Sequence, residues 1–308
     1  MYNEIKIFCP ATIANLNCGF DVLGLCLEGI GDEMIIRKKA EKGIRITKIT
    51  GADLPMETER NVAGVAALAI VNTANPECGF EIEIHKKIKA GSGIGSSSAS
   101  AAGAVFGINE LLGKPFTRHE LVDFAMKGEA IASGSEHADN VAPCILGGFT
   151  LVRGYNPLDV IRIESPDEIY AVVLHPHIEV KTSESRAILE PMISLKSAIT
   201  QWGNLGGLVA GLYTKDYDLI SRSLQDVIIE PLRKKLIPNF DQVKNSALDA
   251  GALGAGISGA GPSIFALCKG QSIAEQVAFA MSNSYLDTGI PFDMHISKVN
   301  AIGTKIID

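Results

Sequence analysis

The sequence predicts a mixed α+β chain in two domains, and three observations predict it. An alternating strand-like run, Phe80-Glu-Ile-Glu-Ile84, feeds a glycine loop that opens a helix rich in small residues. The second half alternates helical and strand-like segments, as an α+β layer does. The composition, with 31 glycines and only 6% aromatics, is that of a soluble α/β or α+β enzyme. A length of 308 residues suits one large or two medium domains. The turn Gly154-Tyr-Asn-Pro157 is the best boundary, dividing 1–155 from 156–308.

A net charge of −7 leaves no basic footprint for nucleic acid. The six cysteines show no C-x-x-C pair or zinc spacing, and read as reduced, mostly buried thiols of a cytoplasmic protein. The start, Met-Tyr-Asn-Glu-Ile-Lys, has no signal-peptide apolar region. No apolar run approaches the ~20 residues that span a membrane.

In order, Ile5–Ala11 reads as a strand. Asn15, Asn17 and Asp21 around Gly19 mark a turn, either locally bonded or a polar floor for a small substrate. Strands over 33–38 and 44–49 are expected to pair antiparallel. Asn61–Ala74 is helical, and Phe80–Ile88 is the strand feeding the loop. A capping box, Thr117-Arg-His-Glu120, starts a helix with Leu121, Val122, Ala125, Met126 and Ala132 on one face. Glu129 falls on that face. It is either an edge residue, a partner of Lys127 or Lys86, or a Mg²⁺ ligand, the reading favoured because hard oxygens suit that ion.

A polar cluster, Glu136-His-Ala-Asp-Asn140, then precedes a strand over 145–152. Beyond the boundary, 169–175 is a buried strand whose terminal His175-Pro-His177 reads as surface. A short helix from Thr182 carries Arg186, a solvated charge or an anion clamp. Helices are expected over 202–215, 218–227, 240–252 and 273–286. The basic stretch 229–238, with Arg233, is by default solvated. A second glycine-rich stretch from Gly254 ends in a strand, and 294–299 is the last strand.

The central loop carries the chemistry. Gly91, Gly93 and Gly95 let backbone approach a ligand, and Ser96, Ser97 and Ser98 open a helix whose first N–H groups lack internal partners. Glycine loop plus helix N-terminus is a phosphate site, or else a flexible turn. It is no Walker A loop, since no Lys follows Gly95, and no G-x-G-x-x-G fingerprint.

Three stretches in this order, 10–21, 91–100 and 256–263, resemble the GHMP kinases, the family of galactokinase, homoserine kinase and mevalonate kinases. Gly128-Glu129, His137-Ala-Asp-Asn-Val-Ala-Pro143, Thr182-x-x-x-Arg186 and the stretch from Glu230 to Pro238 resemble the homoserine kinase branch, and the likeness covers nearly the whole chain. The resemblance implies an N-terminal domain like ribosomal protein S5 domain 2 and a C-terminal ferredoxin-like domain, with the active site between them. It implies Mg-ATP-dependent phosphorylation of the L-homoserine hydroxyl on the route to threonine, by a homodimer with no nucleic-acid or membrane partner.

Carried over by position, it implies that Lys89, Ala90, Gly91, Ser92, Gly93, Ile94, Gly95, Ser96, Ser97, Ser98, Ala99 and Ser100 cradle ATP. Asn61 and Lys86 would lie along the nucleotide, and Gly259, Gly261 and Ser263 would close over its phosphates. Ser97 and Glu129 would hold Mg²⁺ and, with Asn140, form the catalytic set. Asn15, Asp21, His137, Asn140, Thr182, Arg186 and Arg233 would line the amino-acid pocket. The two arginines suit a carboxylate and Asp21 an ammonium, a pairing that mevalonate and sugars do not offer. Where mevalonate kinase has an Asp that could take the proton, Asn140 stands here. Direct in-line transfer without a strong general base follows, with Asp139 as the neighbouring alternative.

Overall fold

The computed structural model describes residues 3–134 and 136–308. The side chains of Ala132 and Ser133, and Ser135 altogether, lie outside the described residues. The first unit contains β1 (Glu4–Ala14), β2 (Leu23–Lys39), β3 (Gly43–Thr50), α1 (Val62–Ala74), β4 (Gly79–His85), α2 (Ser96–Leu111), α3 (Arg118–Ser133), α4 (Val141–Leu146), β5 (Phe149–Tyr155) and β6 (Leu158–Ile163). The second contains β7 (Ile169–Pro176), α5 (Thr182–Ala187), α6 (Leu195–Thr214), α7 (Tyr217–Ser223), α8 (Glu230–Arg233), α9 (Phe240–Asp249), β8 (Gly254–Ile257), β9 (Ile264–Lys269), α10 (Gln271–Leu286) and β10 (Phe292–Lys298). A last strand, β11 (Lys305–Ile307), returns to the first.

The large sheet has the order β11-β1-β2-β4-β3, with β5 on the first residues of β2 and β6 on β5. The 33–38 and 44–49 strands therefore run in opposite directions but are not neighbours. β4 lies between them, antiparallel to β2 and parallel to β3, because α1 carries the chain across. The turn at Gly154–Pro157 is the tip of the β5–β6 hairpin, so the change of sheet falls after Ile163, a strand later than the expected division. The second sheet is antiparallel, β10-β7-β9-β8, a ferredoxin-like βαββαβ arrangement with α9 and α10 against it.

Small residues decide where α2 sits. A Cβ on Gly103 would lie 2.4 Å from Cys9 Sγ, and one on Gly107 2.3 Å from Ile7 Cδ1. Only glycine lets this helix lie so close to β1, and α1 and α3 then cover its other side. Among the described residues no helix is long and apolar enough to cross a membrane.

Three local expectations change. Ile145 and Leu146 end α4 rather than begin a strand. The helix expected over 218–227 stops at Ser223, and Asp226 instead accepts the N–H groups of Ile228, Ile229 and Glu230. His175 is buried, its Nδ1 3.2 Å from Ser263 Oγ, and burial pulls its pKa down to about 4.

Candidate active site

A cavity of about 440 Å³ lies between the two sheets' loops, within the usual size of a small-ligand site. At one end is the N-terminus of α2. Its cap residue is Gly95, in a left-handed conformation, and no side chain caps it. The first amide bonded within the helix is Ala99 N–H, to Gly95 O at 2.9 Å. Uncapped amides at the positive end of a helix dipole are the kind of group that suits an anion.

The two glycine stretches touch here. A Cβ on Gly93 would fall 2.5 Å from Gly261 O, and Ser258 Oγ donates to Gly93 O at 2.7 Å. Ser263 Oγ donates to Ser92 O at 2.6 Å. The second unit thus fixes the loop of the first.

Beneath the loop, Lys86 is buried against Asp32 and donates to Ser96 O at 2.7 Å and Ser100 Oγ at 3.1 Å. Asp32 in turn accepts the Lys87 and Ile88 N–H groups at 2.7 and 2.9 Å. Lys86 lines the cavity, but its three donors are used internally, so it braces the first turn of α2. Asn61 also lines the cavity with its amide engaged, accepting from Ala63 N–H at 2.9 Å and donating to Pro55 O at 2.7 Å.

Glu129 is buried in the cavity wall, and Ser98 Oγ donates to its Oε2 at 2.6 Å. Burial raises its pKa, while the hydrogen bonds from Ser97 and Ser98 pull the other way. Lys127 pairs with Glu136 at 3.0 Å and Lys86 with Asp32, and the Lys86 charge also helps to lower the Glu129 pKa. Ser97 lines the cavity beside it. The Ser97 hydroxyl and the buried Glu129 carboxylate are two hard oxygen donors of the kind that suits Mg²⁺, which keeps waters and phosphate oxygens in its shell.

At the other end, Arg186 meets Asp21 in a two-pronged ion pair, Nη1–Oδ2 3.1 Å and Nη2–Oδ1 2.8 Å. His137 Nδ1 is 3.9 Å from the same carboxylate. Arg233, expected on a solvated run, is buried. Its Nη1 donates to Gly259 O at 3.0 Å and its Nε to Ser185 O at 3.2 Å. Burial, and after it Arg186, lower its pKa to about 10, so it stays charged. Phe20 lies under both guanidinium groups, 4.9 Å from Arg233 and 5.5 Å from Arg186. Asn15 joins the halves, donating to Gly259 O at 2.8 Å and accepting from Asp21 N–H at 3.1 Å. Thr182 lines the same end.

Between the ends runs the segment from His137 to Asn140. Asn140 Oδ1 accepts from Thr12 Oγ1 at 2.7 Å, beside Gly95. Asp139 is buried in the cavity wall, and burial, reinforced by Asp21 and Glu129, raises its pKa to about 7.

Most of the expected site thus converges on one cavity. Five residues do not line it. Lys89 turns outward to His177 Nε2, at 2.8 Å, and Asp293, at 3.4 Å. Ile94 and Ala99 are in the core, while Ser98 and Ser263 are buried as supports for Glu129 and Ser92. Thr12 and Phe20 were missed, although each sits inside a stretch that drew attention, Pro10-Ala-Thr12 and Gly19-Phe-Asp21. Asp32 carries no local signal, because it meets Lys86 only through β2–β4 pairing.

Residues 61–148 match the N terminal domain of the GHMP kinases, and residues 208–287 their C terminal domain. The homoserine kinase of Chlorobium phaeobacteroides (strain BS1) is 46% identical across 97% of this chain and 98% of its own length. That of Xylella fastidiosa (strain Temecula1) is 36% identical across 99% and 94%. The crystal structure of homoserine kinase from Cytophaga hutchinsonii superposes with a TM-score of 0.96 at 51% identity, covering 100% of this chain and 98% of that one. L. major mevalonate kinase, at 15% identity and a TM-score of 0.74, shares the fold. The chain belongs to the GHMP kinases, in their homoserine kinase branch.

Proposed function

We propose that this chain transfers the γ-phosphoryl group of Mg-ATP to the side-chain hydroxyl of L-homoserine, giving ADP and O-phospho-L-homoserine, and that it works as a homodimer in the cytoplasm. One arrangement carries the reading. A single cavity has an uncapped helix N-terminus at one end and Asp21, Arg186 and Arg233 at the other, with Asn140 beside the glycine loop between them. Relatives named homoserine kinase over nearly the full length support it. The six unpaired thiols support a reducing compartment.

The amides of the loop and of the first turn of α2 would hold the phosphate chain. Mg²⁺, held by Ser97 and Glu129, would draw charge from the phosphate oxygens. Arg233 and Arg186 would take the substrate carboxylate and Asp21 its ammonium, which requires the Asp21–Arg186 pair to share its contacts with the substrate. Asn140 has its carbonyl oxygen committed to Thr12, so its Nδ2 donates to the substrate hydroxyl oxygen and orients it in line. An amide cannot take the proton. Phosphoryl transfer through a loose transition state tolerates late deprotonation, leaving positioning and charge stabilisation as the main contributions.

The test is ADP release with Mg-ATP and L-homoserine, mevalonate, galactose or no acceptor. Turnover on L-homoserine alone is expected. Turnover on mevalonate or galactose instead would keep a kinase and discard the amino-acid pocket. Bound ATP with no turnover on any acceptor would point to a regulatory nucleotide-binding protein.

A further inference from the structure

Helix α6 is apolar on both sides. Its inner side, including Ala198, Leu208 and Leu212, is buried. Its outer side carries Leu195, Ile199, Trp202 and Tyr213, which are 48–69% exposed. At 3.6 residues per turn these positions share one face. Gly206 and Ala210 fall on the same face, and a Cβ on Gly206 would meet no atom within 4 Å. Met192, 82% exposed, and Ile193 extend the patch just before the helix. A surface helix normally shows one apolar side, so a second apolar side of this size marks an interaction surface. An exposed mid-helix glycine costs about 1 kcal/mol against alanine, and packing within the chain gives no reason for it.

The face selects its own occupant. Lys196 is the single charged residue in α6, on a chain of net charge −7. Two copies repel over most of their surfaces but bring no acidic group together here. The six large side chains leave on the order of 800 Å² exposed, about what each partner gives to a stable interface. A two-fold axis at Gly206 with the helices antiparallel sets Trp202 against Ala210 and Ile199 against Tyr213 of the other copy. Large meets small at Trp202–Ala210, Ile199 and Tyr213 bury each other at the ends, and the bare Gly206 backbone permits close approach. We infer that a second copy of this chain docks on α6 through an antiparallel, two-fold helix pair centred on Gly206.

The inference rests on the homodimer reading and not on the substrate. It also reaches the site. From the inner side of α6, Gln201 Nε2 donates to Cys18 O at 3.2 Å, in the Asn15–Asp21 turn, and to Asp226 Oδ1 at 3.0 Å.

Sedimentation velocity from about 1 to 50 μM, with circular dichroism as the folding check, separates the possibilities for an interface of this size. The wild-type chain is expected at twice its 32.7 kDa. Trp202→Glu and Ala210→Glu are expected folded and monomeric, with association at least ~100-fold weaker. Phe279→Glu, on the exposed side of α10, is expected to stay dimeric. Trp202 is the only tryptophan, so its emission should shift to the red as the dimer is diluted. Gly206→Cys with oxidised glutathione should give a disulfide-linked dimer. A monomeric wild type would overturn the homodimer reading and this face together. A dimer that survives both α6 variants, or is lost in Phe279→Glu instead, would overturn the face alone. An intact dimer in which Gly206→Cys does not cross-link would overturn the Gly206-centred geometry.

Discussion

Asp21 and Arg186 face each other across the amino-acid end of the cavity, joined by two hydrogen bonds of 3.1 and 2.8 Å. Each is the other's partner, so an incoming zwitterion must replace what it takes. A ligand with a carboxylate but no ammonium would draw Arg186 away and leave Asp21 unpaired, and that penalty is the basis of selection.

Asp21→Ala should therefore raise the homoserine KM by ~10–100-fold while barely changing the KM for ATP. Both side chains keep partial solvent access, so the stability loss should stay below about 1 kcal/mol. Steady-state kinetics and a thermal melt check this, and an unchanged homoserine KM would contradict the assignment.

Asn140→Ala should lower kcat by ~100-fold, since it removes a contact that matters in the transition state. Thr12→Val, which frees the Asn140 carbonyl, should cost about 10-fold by losing orientation. Unchanged turnover in both would remove Asn140 from the reaction. If Asp139→Asn, correctly folded, lost turnover and an apparent kcat pKa near 7, proton transfer would belong to Asp139 instead.

Asp139 also makes a stability prediction. Its folded pKa, raised by burial to about 7, lies above the ordinary value of 3.8. The native state then binds more protons than the unfolded state between these values, so this group's contribution to stability falls as pH rises from about 4 to about 7. Asp139→Asn removes that dependence. Its Tm should match the wild type near pH 4 and exceed it at pH 8. A difference that does not vary with pH would show that the carboxyl ionises normally.

Glu129→Gln should raise the Mg²⁺ concentration needed for half-maximal turnover by at least ~10-fold and leave binding of metal-free ATP intact. Titration calorimetry with and without Mg²⁺ reads the two separately. Equal Mg²⁺ dependence would place the metal elsewhere.

Much of this site was legible because its chemistry is local. The glycine loop and the capping box at Thr117 each form within a few residues and can be read from their spacing, whereas the roles expected of His137 and Asn140 came from the family resemblance. What was not legible depends on distant pairing. Nothing near Asp32 shows that it meets Lys86, and nothing near β3 shows that β4 separates it from β2. Arg233 sits in a basic run that reads as surface, yet α8 turns that one side chain inward. His175 is buried because β9 and β10 flank β7, which a strand-end histidine cannot reveal.

The most direct test of the zwitterion pocket at the end of a phosphate site is kcat/KM for L-homoserine against 4-hydroxybutyrate, which keeps the hydroxyl and carboxylate but lacks the ammonium. The account predicts a preference for L-homoserine of at least ~100-fold in the wild type, collapsing in Asp21→Ala. Equal use of the two acceptors by the wild type would contradict it.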